Sequence, residues 1–185
     1  MDFLLAALRA TAEPTRLRLL ALCAEGDLTV SELTAILGQS QPRVSRHLKL
    51  LCEAGLLDRF PEGQWVFHRL KAEYEPGGAL ARALVARVPV DDSTIVLDRA
   101  RRRDVTERRR AQAAEYFRTH AGEWDQIRAL HVPEAEVEQA LLAEVGGTAV
   151  EDLLDVGTGT GRMLELFGPR SRRGIGVDLS PEMLT

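Results

Sequence analysis

Two sets of residues in this 185-residue chain have the types and spacing to do chemistry. The first is Asp155-Val156-Gly157-Thr158-Gly159-Thr160-Gly161, with Asp178 standing 17 positions after Gly161. Glycine at every second position lets a ligand come close to the backbone, because no Cβ stands in the way. The spacing to Asp178 is that of one βαβ unit with an acidic residue closing its second strand. The second set is basic: Arg43, Arg46 and Lys49, in a stretch where Val44, Leu48 and Leu51 recur at helical spacing. The apolar residues can bury together while Arg46 and Lys49 project from the opposite side. Cationic groups on the outer face of a helix can meet phosphates and base edges.

Composition bounds what these groups can act on. The hydrophobic fraction of 45% and charged fraction of 28% are those of a folded soluble chain of one large or two small domains. The formal net charge is −4, so nucleic acid would be met by a local patch rather than by a polycation. No apolar run reaches the ~18–20 residues of a membrane span, and Met1-Asp2 is not a basic leader start. The two cysteines, without a secretory signal, point to a reducing cytoplasm and free thiols. Cys23 and Cys52 fall on or beside apolar faces, and the four His show no metal-ligand spacing, so no metal is expected.

The basic helix must be held by its neighbours. Residues 3–10 form a short apolar helix carrying Phe3, Leu4, Leu5 and Leu8. A second helix starts at Glu13-Pro14-Thr15-Arg16, with proline in its first turn, and stops at Gly26. Thr29 and Glu32 make a capping box for a third helix ending at Gly38. A tight turn, Gly38-Gln39-Ser40, leads into the basic helix, which reads from Ser40 to Leu57 with Gly55 as its terminator. Two helices joined this way are a helix-turn-helix. Two β-favouring runs, Leu56–Phe60 and Gln64–Leu70, flank the turn Pro61-Glu62-Gly63, which makes a hairpin or wing.

The motifs EPTRLRLLALC, LTVSELTAILGQSQPRVSRHLKLLCEAGLL and RFPEGQWVFHRL resemble the ArsR/SmtB family of bacterial repressors over about the first 90 residues. The resemblance implies a winged helix-turn-helix that forms a homodimer through its first and last helices and binds a double-stranded, palindromic operator. Leu80, Leu84, Val85 and Val88 give an apolar stripe suited to that last helix. Helix-turn-helix docking places Gln41, Arg43 and Ser45 at base edges, and Arg46, His47 and Lys49 at bases or phosphates. Arg59 and Gln64 on the wing reach backbone or minor groove. The family's cysteine-containing metal motif on the third helix is missing: Leu28 to Thr34 reads LTVSELT.

From Asp91 to Ile127 the chain reads as charged helix, with seven Arg between Arg99 and Arg110 against Asp104 and Glu107. That run reads as a solvated helix surface, with phosphate contact as a second role. Tyr116, Phe117 and Trp124 follow, then an amphipathic helix over Glu134–Glu144.

At the glycine loop, Leu153 to Val156 reads as a short buried strand, Met163 to Phe167 as a helix and Gly174 to Val177 as a second strand; Ser180-Pro181-Glu182 opens another helix. A dinucleotide fingerprint would need glycine at 162, where the chain has Arg162. DVGTGTGR followed by GVDLSPEML resembles class I methyltransferases that use S-adenosylmethionine (SAM). The resemblance implies that SAM or S-adenosylhomocysteine meets Asp155, Gly157, Thr158, Gly159, Gly161, Asp178 and Leu179, with Asp155 and the glycines around the methionine moiety and Asp178 on the ribose hydroxyls. Because the chain stops at Thr185, the sheet is expected to continue in a longer protein, leaving an exposed apolar edge and no methyl transfer by these residues alone.

The expected architecture is therefore an α+β winged helix-turn-helix (residues 1–90), a helical linker and lead-in (91–147), and the start of an α/β Rossmann-like methyltransferase domain (148–185). Its expected function is a DNA-binding regulator carrying a SAM domain. The alternative is a small-molecule methyltransferase whose winged domain serves only for dimerisation. Arg43, Arg46 and Lys49 on one helix beside a wing favour the first, because dimerisation alone does not need them.

Overall fold

The computed structural model describes residues 1–130, 133–147 and 149–184. It divides into two compact units, Met1–Glu107 and Arg108–Thr185.

The first unit is a winged helix-turn-helix. Helices α1 (Asp2–Thr11), α2 (Pro14–Ala24), α3 (Val30–Leu37), α4 (Gln41–Glu53) and α5 (Pro76–Val85) surround a three-stranded sheet of β1 (Leu28–Thr29), β2 (Leu57–Glu62) and β3 (Trp65–Leu70). The sheet is antiparallel in the order β1-β3-β2. Leu19 and Leu20 of α2, Leu33 and Ile36 of α3, and Val44, Leu48 and Leu51 of α4 form a continuous buried core. Proline opens α2, α4 and α5, where its missing N–H leaves no helical bond unmade. The Thr29–Glu32 capping box is complete: the Thr29 N–H donates to Glu32 Oε2 at 2.7 Å, and the Glu32 N–H to Thr29 Oγ1 at 3.2 Å. Gly38 ends α3 at φ 64°, a left-handed conformation that a side chain would strain, and so sets the turn into α4.

Several expectations about the first unit are corrected. The hairpin turn is Gly63-Gln64, not Pro61-Glu62-Gly63. Pro61 lies on β2, an edge strand where a missing N–H is tolerated, and pairs with Val66 of β3. Gln64 thus sits in the turn rather than in a strand. The basic helix ends at Glu53 instead of Leu57, because Gly55 at φ 71° turns the chain into β2. Helix α5 ends at Val85, which leaves Val88 outside it, and Leu80 and Val85 pack against the core of their own unit.

The first unit also runs past residue 90. Asp92 precedes helix α6 (Ser93–His120), and its Oδ1 accepts the backbone N–H of Thr94 and of Ile95 in the first turn. Its first half docks through buried Ile95, Asp98 and Val105. Arg99 pairs with Glu25, Arg101 donates to the Ile36 carbonyl at 3.1 Å, and Arg102 bonds the Glu25 carbonyl. Three arginines of the run therefore cap or pair with the carboxyl ends of α2 and α3, where helix dipoles favour cations. They are not a simple solvated surface.

The second unit continues α6 into a single 3-10 turn (Ala121–Glu123), then α7 (Trp124–Ala129), α8 (Glu134–Val145), β4 (Val150–Val156), α9 (Arg162–Phe167) and β5 (Ser171–Val177). Strands β4 and β5 pair in parallel, with Leu153 opposite Gly174 and Val156 opposite Val177. The expected buried strand is covered on one face only. Leu153 and Asp155 are half-buried, whereas Leu154, Val156, Ile175 and Val177 remain exposed. Pro181–Leu184 forms a 3-10 turn. No helix among the described residues is long and apolar enough to cross a membrane.

Candidate nucleic-acid interface and glycine-loop cleft

Helix α4 is amphipathic to its ends. Below it, Val44, Leu48 and Leu51 are buried; above it, Gln41, Arg43, Ser45, Arg46 and Lys49 are exposed. Lys49 makes a 3.7 Å ion pair with Glu53, both side chains being well exposed, so solvent screens it and the ammonium can exchange partners. His47 is placed differently from its neighbours. It tucks toward α2, with Nδ1 3.8 Å from Glu13 Oε2, at a side-chain exposure of 13%. Burial lowers its pKa, against the opposing attraction of Glu13. Glu13 itself caps α2 by accepting the Arg16 N–H at 2.9 Å.

The wing stands beside this face. Phe60 and Phe67 stack across the hairpin with ring centres 5.8 Å apart, and the Arg69 guanidinium lies 4.3 Å from the centre of the Phe60 ring. Arg59 and Gln64 are exposed. A groove with a volume of about 730 Å³ runs between the start of α3, α4 and the wing, and Gln41, Ser45, Lys49, Arg59 and Gln64 all line it. Trp65 lines it too, although in the sequence it stands out only as part of the β-favouring run Gln64–Leu70.

In the second unit, the backbone N–H groups of Gly157 and Thr158 donate to the Val177 carbonyl at 2.8 and 3.0 Å, which folds the loop over the end of β5. Gly157, Gly159 and Gly161 have φ of 81°, 53° and 85°, left-handed values that other residues rarely adopt. A cleft of about 430 Å³ lies against the loop, lined by Thr158, Gly159, Gly161, Leu164, Gly176 and the Ala121-Gly122 turn among others. Asp178 is not in its lining. Its Oδ2 accepts the Gly159 N–H and its Oδ1 the Ser180 N–H, each at 2.9 Å, so the carboxylate is fixed by the loop. Gly157, Asp155 and Leu179 also lie outside the lining, and Leu179 is fully exposed. Asp155 Oδ2 and Thr158 Oγ1 are buried without a hydrogen-bond partner among the described residues.

Sequence reasoning missed the outer clamp of this loop. Thr160 Oγ1 donates to Asp125 Oδ1 at 2.7 Å, and Arg162 forms a two-pronged pair with Glu138 of α8 at 2.7 and 2.9 Å. These partners lie 24 to 35 residues away, beyond any local pattern. Among the described residues, no group of three or more His, Cys, Asp or Glu is placed to hold a metal ion.

Comparison with known proteins places the first unit. The family described as bacterial regulatory protein, arsR family, matches residues 13–59. An arsenic resistance transcriptional regulator of Pseudomonas putida is 50% identical over 66 residues, which is 35% of this chain and 52% of that protein. The chain thus spans about half the length of that curated relative. A probable mercury resistance operon repressor of Streptomyces lividans is 37% identical over 92 residues, 49% of this chain and 69% of the relative. Among solved structures, HlyU from Vibrio cholerae is 31% identical with a TM-score of 0.41, covering 45% of this chain and 88% of that one.

Proposed function

Because the chain belongs, through its first unit, to the arsR family of bacterial regulatory proteins, we propose that it is a sequence-specific DNA-binding transcriptional regulator. It acts as a repressor, in the cytoplasm, as a homodimer on a double-stranded operator. The observation that carries this reading is the exposed row Gln41, Arg43, Ser45, Arg46 and Lys49 above a buried apolar base, with the wing alongside. The start of α4 enters the major groove, where Arg43 can bond guanine edges and Gln41 adenine edges. Arg46 and Lys49 neutralise phosphates, and Arg59 and Gln64 extend the contact from the wing. His47 supports the face from beneath. The apolar residues Phe3, Leu4, Leu5 and Leu8, each between 42% and 44% exposed, supply a dimer surface on α1.

Changing Arg46 to alanine should weaken binding of duplex DNA in a gel-shift assay and flatten its salt dependence by about one unit of slope. Unchanged affinity and salt slope would remove α4 from the interface.

The second unit we assign to SAM or S-adenosylhomocysteine. The residues suit such a ligand. Side chains at Gly157 and Gly161 would project into open space over the loop, and Asp178 is held in place with lone pairs to spare. Two buried polar atoms, Asp155 Oδ2 and Thr158 Oγ1, have no hydrogen-bond partner among the described residues. The glycine backbone would face the methionine portion and Asp178 the ribose hydroxyls; SAM itself would supply an activated methyl group. Calorimetry on the full chain tests this, with binding expected for the native protein and lost in Asp178→Ala. Equal heats for the two proteins would refute it.

A further inference from the structure

A winged domain that reads the major groove with a helix and reaches the neighbouring minor groove with its hairpin must straddle the sugar-phosphate strand between them. The first unit has a place for that strand. The groove between α4 and the wing is lined by Ser31 at the start of α3, Ser45 and Lys49 on α4, and Arg59 and Trp65 on the wing, over a base that includes Leu48. It is continuous with the exposed basic face of α4 through Gln41, Ser45 and Lys49, which belong to both. Its charges are Lys49 and Arg59 against Glu53, a positive balance, and the Lys49–Glu53 pair is solvent-exposed and open to exchange.

Trp65 is the informative residue. It opens β3 beside the hairpin turn and keeps 54% of its surface exposed. Indole combines a broad apolar face with a single N–H donor. That pairing suits a deoxyribose ring, which is apolar on its flank and bordered by phosphate oxygens.

We propose that this groove seats one sugar-phosphate strand of the bound duplex, with Trp65 packed against a deoxyribose and Lys49 and Arg59 on the flanking phosphates. The assignment rests on the DNA-binding reading and adds to it a positioning residue that reads no base. Phosphate and sugar contacts fix register without carrying sequence information, so losing Trp65 should weaken all duplexes alike.

The test uses the full chain, a duplex that it selects from a random-sequence pool, and an unselected duplex. Adding the selected duplex should change tryptophan fluorescence in the native protein, and that change should vanish in Trp65→Phe, which keeps an apolar ring in the wing. Trp65→Ala should lose about tenfold in affinity on both duplexes, the scale of one anchoring aromatic. Arg59→Gln should lower the salt slope by about one unit. If the selected duplex binds while the Trp65 signal and the Trp65→Ala affinity stay unchanged, the groove assignment is overturned and DNA binding by α4 stands. If no duplex is selected and none binds, both readings fall.

Discussion

The Asp98 carboxylate receives two hydrogen bonds from the guanidinium of Arg18, 80 residues earlier in the chain: Nε to Oδ2 at 2.6 Å and Nη2 to Oδ1 at 2.7 Å. Asp98 is 2% exposed, and the bonded pair holds the Arg18 pKa above its ordinary value. Removing one partner of a buried, two-pronged pair strands the other charge. Asp98→Ala should therefore destabilise the first unit by about 3 kcal/mol. Urea unfolding followed by Trp65 fluorescence in a Trp124→Phe background measures it; a loss below about 1 kcal/mol would mean that Arg18 finds water instead.

The sheet should also respond to acid. His68 lies in β3, 4% exposed, opposite Leu28 on one side and Arg59 on the other. Burial first, and Arg59 second, lower its pKa below the ordinary 6.5. The unfolded chain thus takes up a proton near pH 6.5 that the folded chain refuses until lower pH. The stabilising contribution is complete above pH 6.5 and is lost as the pH falls through the folded value. His47, lowered mainly by burial, adds in the same direction. Unfolding midpoints taken between about pH 7.5 and 5.5 should fall more steeply for the native chain than for His68→Leu. Parallel curves would contradict the assignment.

Thiol chemistry should be sluggish. Burial pushes the Cys23 thiol up to about 12, and burial followed by the nearby Asp58 carboxylate raises that of Cys52. Neither is poised as a thiolate at neutral pH. A chromogenic disulfide reagent should titrate the half-buried Cys52 slowly in the native protein and Cys23 only after denaturant is added. Rapid reaction of both thiols would indicate that the core around α2 opens readily.

In the glycine-loop unit, the most exacting position is Gly176 on β5. A Cβ there would stand 2.6 Å from Thr158 Oγ1 and 2.8 Å from Leu164 Cδ1, so the loop or α9 must shift. Gly176→Ala should reduce SAM binding by about five- to 150-fold, given that overpacking costs about 1–3 kcal/mol. The same calorimetry used for Asp178 checks it. Retained affinity would show that the loop yields without disturbing the ligand.

Much of the first unit was legible because its signals are local. Val44, Leu48 and Leu51 at helical spacing, the Thr29–Glu32 box and Gly38 each act within one or two turns. The hairpin was legible but shifted: Pro61 looked like a turn residue, and only its place on an edge strand shows why it extends β2. The docking of α6 was not legible. Arg18 and Asp98 are each ordinary surface residue types, and their pairing depends on a tertiary approach that periodicity does not encode. The same holds for the glycine loop, whose glycines announce themselves while Asp125 and Glu138, which clamp Thr160 and Arg162, do not.

Strand β3 occupies the middle of its sheet, with β2 on one edge and the two-residue β1 on the other. Leu28 and Thr29 pair with His68 and Phe67, and Thr29 is also the residue that caps α3. The wing is therefore no free-swinging arm. A load placed on its tip passes along β3 to the residue that begins α3, so hairpin and helix-turn-helix should engage or release a ligand as one lever rather than as two.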